Sequence, residues 1–133
     1  MVRGTTLSGS AGVPLRILYV EDNEIVRELT CEMLMREDRS IVAFGTAEEA
    51  LAEFVEGGFD LVITDVSLPK MSGIEFVREI RRLRPDTPVI VATGYPLHTL
   101  LSEWGNSVTS VNKPFDSEQI DVLIAAFISN AAS

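Results

Sequence analysis

The chain has 133 residues, 46% apolar and 23% charged, the size and balance of one globular domain with room for a core. Acidic residues outnumber basic ones by 20 to 11, and the net charge of −9 sets the surface field against nucleic-acid backbones. No apolar run approaches the roughly 18 residues of a membrane span, and the single cysteine, Cys31, excludes an internal disulfide and fits a reducing cytoplasm.

Met1 to Val13 is rich in Gly, Ser and Thr and lacks the apolar stretch of a secretory signal, so residues 1–13 are expected to form a flexible leader. Ile17-Leu18-Tyr19-Val20 is a short strand-like run ending in Glu21-Asp22. Asn23 can cap a helix over Glu24–Met35, with Val26, Leu29 and Met33 on one face and Cys31 as a small semi-buried residue within it. Ser40–Phe44 reads as a second strand. Thr46-Ala47-Glu48-Glu49 has capping-box spacing, in which the hydroxyl and the carboxylate satisfy free backbone donors reciprocally. The helix it opens carries Ala47, Ala50, Leu51, Phe54 and Val55 on one stripe and stops at Gly57-Gly58.

A third strand, Leu61-Val62-Ile63-Thr64-Asp65, ends in an acid. Pro69 and Gly73 punctuate the next loop, and Phe76, Val77, Ile80 and Leu83 stripe a helix that Pro85 ends. Arg81, Arg82 and Arg84 fall at its C-terminus, where cations suit the dipole. Pro88–Thr93 is the fourth strand, followed by a Gly94-Tyr95-Pro96 turn and a short, poor helix near Leu97–Trp104 that also holds His98. Val108–Asn112 is a fifth strand, weakened by Thr109, Ser110 and Asn112. A last helix from about Ser117 to Ser129 buries Ile120, Leu123, Ile124, Phe127 and Ile128. Five β/α units predict an α/β fold: a doubly wound five-stranded parallel sheet with helices on both faces and right-handed crossovers. One domain, residues 14–130, is expected, with no output domain after it.

In such a sheet the C-terminal strand ends share one edge, and ligands bind in the crevice there. Glu21, Asp22 and Asp65 would meet at that edge. Three close carboxylates raise one another's pKa unless a cation joins them, and a hard divalent ion such as Mg²⁺ takes oxygen ligands of this kind. Asp65 is the candidate nucleophile toward phosphorus. Thr93 supplies a hydroxyl and Lys113 a compact charge for phosphoryl oxygens. Phosphoryl transfer needs mainly positioning and charge neutralisation, which these groups provide.

Four pieces in order carry a family resemblance: Ile-Leu-Tyr-Val-Glu21-Asp22-Asn, Asp-Leu-Val-Ile-Thr-Asp65 with Leu-Pro-x-Met-x-Gly, Ala92-Thr93-Gly94, and Asn-Lys113-Pro114-Phe115. With them the chain, over about Leu15 to Phe127, resembles the receiver domain of two-component response regulators, which has the CheY-like, flavodoxin-like (βα)5 fold. The resemblance implies that Asp65 accepts a phosphoryl group from phosphohistidine on a histidine kinase or histidine phosphotransfer protein. It implies that Asp22, Asp65 and the backbone carbonyl of Ser67 bind Mg²⁺, with Glu21 acting through water. It also implies that Lys113 and Thr93 sense the phosphoryl group, that the Lys113–Pro114 bond is cis, and that the protein is cytoplasmic. Partner binding would then change on phosphorylation, with neither nucleic acid nor membrane as a direct partner.

The chain departs from that pattern at Ser110, where receivers usually carry a Tyr or Phe that rotates inward with the switch. Tyr95 lies near the same place and is a candidate for part of that role. Three other readings compete. A receiver-like protein-interaction module acting without phosphorylation is compatible with Ser110. An aspartate-nucleophile phosphatase of the haloacid-dehalogenase kind would carry a second acid two residues after Asp65, where Ser67 stands. Dinucleotide binding lacks its G-x-G-x-x-G after the first strand.

Overall fold

The computed structural model describes residues 5–8, 15–94 and 107–132. Its strands and helices follow in the order β1 (Thr5–Ser8), β2 (Leu15–Val20), α1 (Glu24–Leu34), β3 (Arg39–Phe44), α2 (Ala47–Glu56), β4 (Leu61–Asp65), α3 (Gly73–Leu83), β5 (Val89–Thr93), β6 (Val108–Asn112) and α4 (Ser117–Ala132). The expected short helix near Leu97–Trp104, with Tyr95 and His98, lies outside the described residues.

Five parallel strands run in the order β3-β2-β4-β5-β6, as a doubly wound sheet requires. The chain direction reverses across the sheet at β2, with β3 on one side and β4 on the other, which opens a crevice above the C-terminal ends of β2 and β4. A sixth strand was not expected. Thr5–Ser8 falls within the segment read as a flexible leader, yet it pairs antiparallel with β3, from Thr5 opposite Ala43 to Ser8 opposite Ser40. The physical reason is that β3 would otherwise leave a full row of backbone donors and acceptors unpaired at the sheet rim.

Strand alternation divides the core into two layers. Leu18, Val20, Val42, Phe44, Val62, Val89 and Val91 point to α2 and α3, packing on Ala50, Phe54, Phe76 and Ile80. Ile17, Tyr19, Ile41, Ala43, Leu61, Ile63 and Ile90 point to α1 and α4, packing on Cys31, Leu34, Ile120, Ile124 and Phe127. The central strands are buried on both faces, which is why they read as unbroken apolar runs.

Helix starts follow the sequence signals. Asn23 Oδ1 accepts from the Val26 amide at 3.0 Å, and Thr46 Oγ1 accepts from the Glu49 amide at 3.2 Å. The Glu49 carboxylate does not return to a backbone donor as the capping box predicts. It accepts from the Thr46 hydroxyl at 3.0 Å. A reciprocal box forms at α4 instead, where Asp116 accepts from the Gln119 amide at 2.8 Å and Gln119 accepts from the Asp116 amide at 2.9 Å.

One helix stripe is rotated from the predicted face, and a second loses one member to solvent. In α1 the buried residues are Thr30, Cys31 and Leu34, while Leu29 points outward at 59% exposure. In α2 Ala47, Ala50 and Phe54 are buried as predicted, Leu51 packs beside them, and Val55 is exposed. Arg84 does more than balance a dipole: it stacks over Phe54 and donates to the carbonyls of Phe54, Val55 and Gly57, satisfying the free end of α2. On the other face of the sheet Asp121 of α4 accepts from Arg39 at 2.8 Å and from Arg36, fastening α4 to the α1–β3 turn.

Candidate functional site

The crevice above β2 and β4 gathers the predicted acids. Glu21 and Asp22 follow the last residue of β2, and Asp65 is the last residue of β4. One carboxylate oxygen from each of Glu21, Asp22 and Asp65 lies within 4.8 Å of the others, the only such group of three among the described residues. Asp22 also faces Ser67 across an open cleft walled by Val66, Leu68, Pro69, Ser72 and Ile74. Ser67 is exposed on the wall of that cleft.

Glu21 is held at every polar atom. It is 2% exposed, its amide donates to the Phe44 carbonyl at 3.1 Å, and its own carbonyl accepts from Arg27 Nη1 at 2.8 Å. Oε2 accepts from the Asn23 amide and Oε1 from Lys113 Nζ, each at 3.1 Å. Burial pushes the Glu21 carboxyl above its ordinary range; the Asn23 amide and Lys113 pull it part of the way back, and the Asp65 charge adds to the rise. Asp22, by contrast, stands exposed at the rim.

Lys113 reaches the same place from the far side of the sheet. It directly follows β6, its Nζ lies 3.1 Å from Glu21 and 3.2 Å from Asp65, and its amide donates to the Thr93 carbonyl at 2.8 Å. The Lys113–Pro114 peptide is cis. Burial works to lower the Lys113 pKa, but the Glu21 and Asp65 carboxylates outweigh it and hold the ammonium above its ordinary range. Thr93 ends β5 and is 2% exposed. The structure therefore brings Glu21, Asp22, Asp65 and Lys113 together, with Thr93 on the strand beside Asp65 and Ser67 across the cleft. Ser110 sits half-buried on β6, opposite Val91 of β5.

The contacts of two neighbours of the site were not foreseen, although Gly73 was read as a loop breaker and as part of the family motif. Gly73, the first residue of α3, packs on the backbone of Asp65: a Cβ there would lie 2.0 Å from the Asp65 carbonyl oxygen. Its signal was its place at a helix start, where a side chain is normally tolerated. Arg27 holds the Glu21 carbonyl from α1. Its signal was electrostatic, since a cation near a helix N-terminus works against the dipole and needs another partner.

The chemistry available is that of hard anions around a cation and a phosphoryl group. Clustered carboxylate oxygens fit a divalent ion such as Mg²⁺, and an ammonium with a fixed position fits phosphoryl oxygens. Residues 17–125 match the family model described as the response regulator receiver domain. Nodulation protein W of Bradyrhizobium diazoefficiens is 32% identical over 114 residues, covering 83% of this chain and 50% of that protein. YkoG of Bacillus subtilis, described as an uncharacterized transcriptional regulatory protein, is 35% identical, covering 83% of this chain and 49% of that protein. The chain thus spans about half the length of these relatives. Among solved structures, a CheY-like receiver domain protein from Methanospirillum hungatei superposes with a TM-score of 0.82 at 26% identity, covering 91% of this chain and 98% of that one. TrrA of Thermotoga maritima, solved in complex with Mg²⁺-BeF, superposes at 0.74 with 34% identity, covering 84% and 97%.

Proposed function

Since this chain belongs to the receiver domains of two-component response regulators, we propose that it is a phosphorylation-driven switch whose phosphoryl acceptor is Asp65. The observation that carries the reading is the convergence of Glu21, Asp22, Asp65 and Lys113 from three separate strand ends. Asp22, Asp65 and the Ser67 backbone carbonyl would hold Mg²⁺, with Glu21 acting through water. That fits Glu21's burial, because both its carboxylate oxygens already accept hydrogen bonds from within the chain. When bound, the ion neutralises the charge that gathers as phosphate meets carboxylate.

A phosphohistidine on a histidine kinase or histidine phosphotransfer protein would be the donor. A carboxylate oxygen of Asp65 forms the new P–O bond as the P–N bond breaks, and the departing imidazole nitrogen keeps the electron pair. Lys113, fixed beside Asp65, is placed to follow the phosphoryl oxygens, and the Thr93 hydroxyl supplies a neutral donor to them. The protein's catalysis would be confined to its own phosphorylation and dephosphorylation. Its output would be a shift between two conformations that bind a downstream protein differently. Among the described residues no helix is long and apolar enough to cross a membrane, and the acidic surface suits a cytoplasmic protein partner better than nucleic acid.

Intact mass after incubation with acetyl phosphate and Mg²⁺ tests this. One added phosphoryl group is expected, absent in Asp65→Asn and absent without the metal. No adduct in the wild type, together with no response to beryllofluoride, would overturn the proposal in favour of an interaction module that works without phosphate.

A further inference from the structure

We propose that Arg27, acting through the main chain of Glu21, is a positioning residue that sets the affinity of the acidic site for Mg²⁺, and that position 45 is glycine to leave room for it. The inference rests on the reading above that Asp22 and Asp65 hold the ion.

Arg27 Nη1 donates to the Glu21 carbonyl at 2.8 Å. That carbonyl and the amide of Asp22 belong to one planar peptide unit. Fixing the oxygen therefore fixes the direction in which the chain enters Asp22. Asp22 is the exposed member of the acid cluster, and among the described residues its side chain meets the Glu21 carboxyl but no backbone or ammonium partner. The other side of the same turn is tied by the Glu21 amide to the Phe44 carbonyl at 3.1 Å, so Arg27 completes a two-point clamp on the residue before the ligand.

Gly45 directly follows Phe44. A Cβ at position 45 would stand 3.0 Å from Arg27 Nη1 and 3.7 Å from its Cζ. The 3.0 Å contact would make the guanidinium give by a few tenths of an ångström, and a branched side chain at position 45 would press further on its hold on the carbonyl. The backbone of Gly45 is not in the left-handed region, so conformational freedom does not explain the glycine there. Space for the guanidinium does.

The sign of the effect separates positioning from charge. A guanidinium close to a cation site repels the cation, so charge alone predicts that removing Arg27 tightens Mg²⁺ binding. Positioning predicts the opposite. Partners one step removed from metal ligands typically change affinity by about 10- to 100-fold when lost, and the lower end applies to a contact made through the backbone.

The test is Mg²⁺ titration calorimetry on the full chain, with unfolding midpoints measured beside it, for wild type, Arg27→Met, Arg27→Lys and Gly45→Val. Arg27→Met is expected to weaken Mg²⁺ binding about tenfold. Gly45→Val, which keeps the guanidinium charge, should weaken it in the same direction, and Arg27→Lys should recover part of the loss. Unchanged or tighter binding in Arg27→Met overturns the proposal. If that variant does not fold, Gly45→Val decides, and wild-type affinity there overturns it. A wild type that takes no Mg²⁺ sinks the metal-site reading itself, whereas wild-type binding with indifferent variants sinks only the role of Arg27.

Discussion

Replacing Lys113 with methionine keeps most of the side chain's volume and removes a cation that touches both buried acids. Its Nζ lies 3.1 Å from Glu21 and 3.2 Å from Asp65, and the three acids approach within 4.8 Å of one another. At an effective dielectric near 20, two unit charges at that last separation repel by on the order of 3 kcal/mol. Breaking a buried ion pair costs about 3–5 kcal/mol. About a third of the lysine side chain remains open to water, so the expected loss is about 2–4 kcal/mol. The loss should depend on the metal. Without the ammonium, the acids hold a divalent ion more tightly, because a competing positive charge has gone. Ligand stabilisation grows as the logarithm of concentration over Kd, so at one fixed Mg²⁺ concentration the variant should gain more than the wild type. A tenfold tighter site adds about 1.4 kcal/mol to that gain. Urea unfolding of both proteins, with and without Mg²⁺, measures all four quantities. Equal gains from Mg²⁺ in the two proteins would refute the electrostatic reasoning.

Three further outcomes follow from single positions. Gly73→Ala forces a Cβ to within 2.0 Å of the Asp65 carbonyl oxygen and 2.8 Å of the Val66 Cα. No rotamer relieves a backbone clash, so destabilisation of about 3 kcal/mol is expected, together with slower acetyl phosphate labelling; a urea midpoint like that of the wild type would count against the close approach. Lys70 holds φ at 60°, a left-handed backbone that asparagine tolerates better. Lys70→Asn should therefore raise the unfolding free energy by about 0.5–1 kcal/mol, read from the same urea curves. Burial pushes the Cys31 thiol up to about 11 from an ordinary 9.0, with Arg27 pulling it partly back. A raised thiol pKa leaves stability intact below pH 9 and removes it as pH rises through 11. At pH 8 only about a thousandth of the thiol is thiolate, so reaction with a disulfide reagent should be slow and limited by opening of α1.

The legible parts of the fold were those where burial on both faces left a continuous apolar signal. Leu18, Ile63 and Ile90 belong to strands with no exposed face, so strand ends and the acids placed on them could be located from order alone. Helix faces were harder. Leu29 and Val55 sit at spacings that fit the core stripe, yet a modest rotation about the helix axis turns each into solvent. Thr5–Ser8 carries no periodicity in four residues, and its pairing depends on a partner some 35 positions away. The site divides in the same manner. Glu21, Asp22, Asp65 and Lys113 announced themselves as charged groups at the ends of apolar runs. The grip of Arg27 on a carbonyl and the contact of Gly73 with Asp65 involve main-chain atoms, which every residue possesses, so the sequence offered only indirect signals of them.

The strand Thr5–Ser8 has a practical consequence for handling the molecule. Four residues pair it to β3, so the outermost ladder is short and should be the first to exchange its amides for deuterium. Every residue of β3 is buried behind it, including Ile41, Val42 and Ala43. Trimming the protein to begin at Leu15 would move that uncharged, apolar stretch from the interior of the sheet to its rim. A shortened version made for crystallisation or nuclear magnetic resonance would then carry the sort of rim that pairs with other chains, and its solubility would report on the trimming more than on the switch.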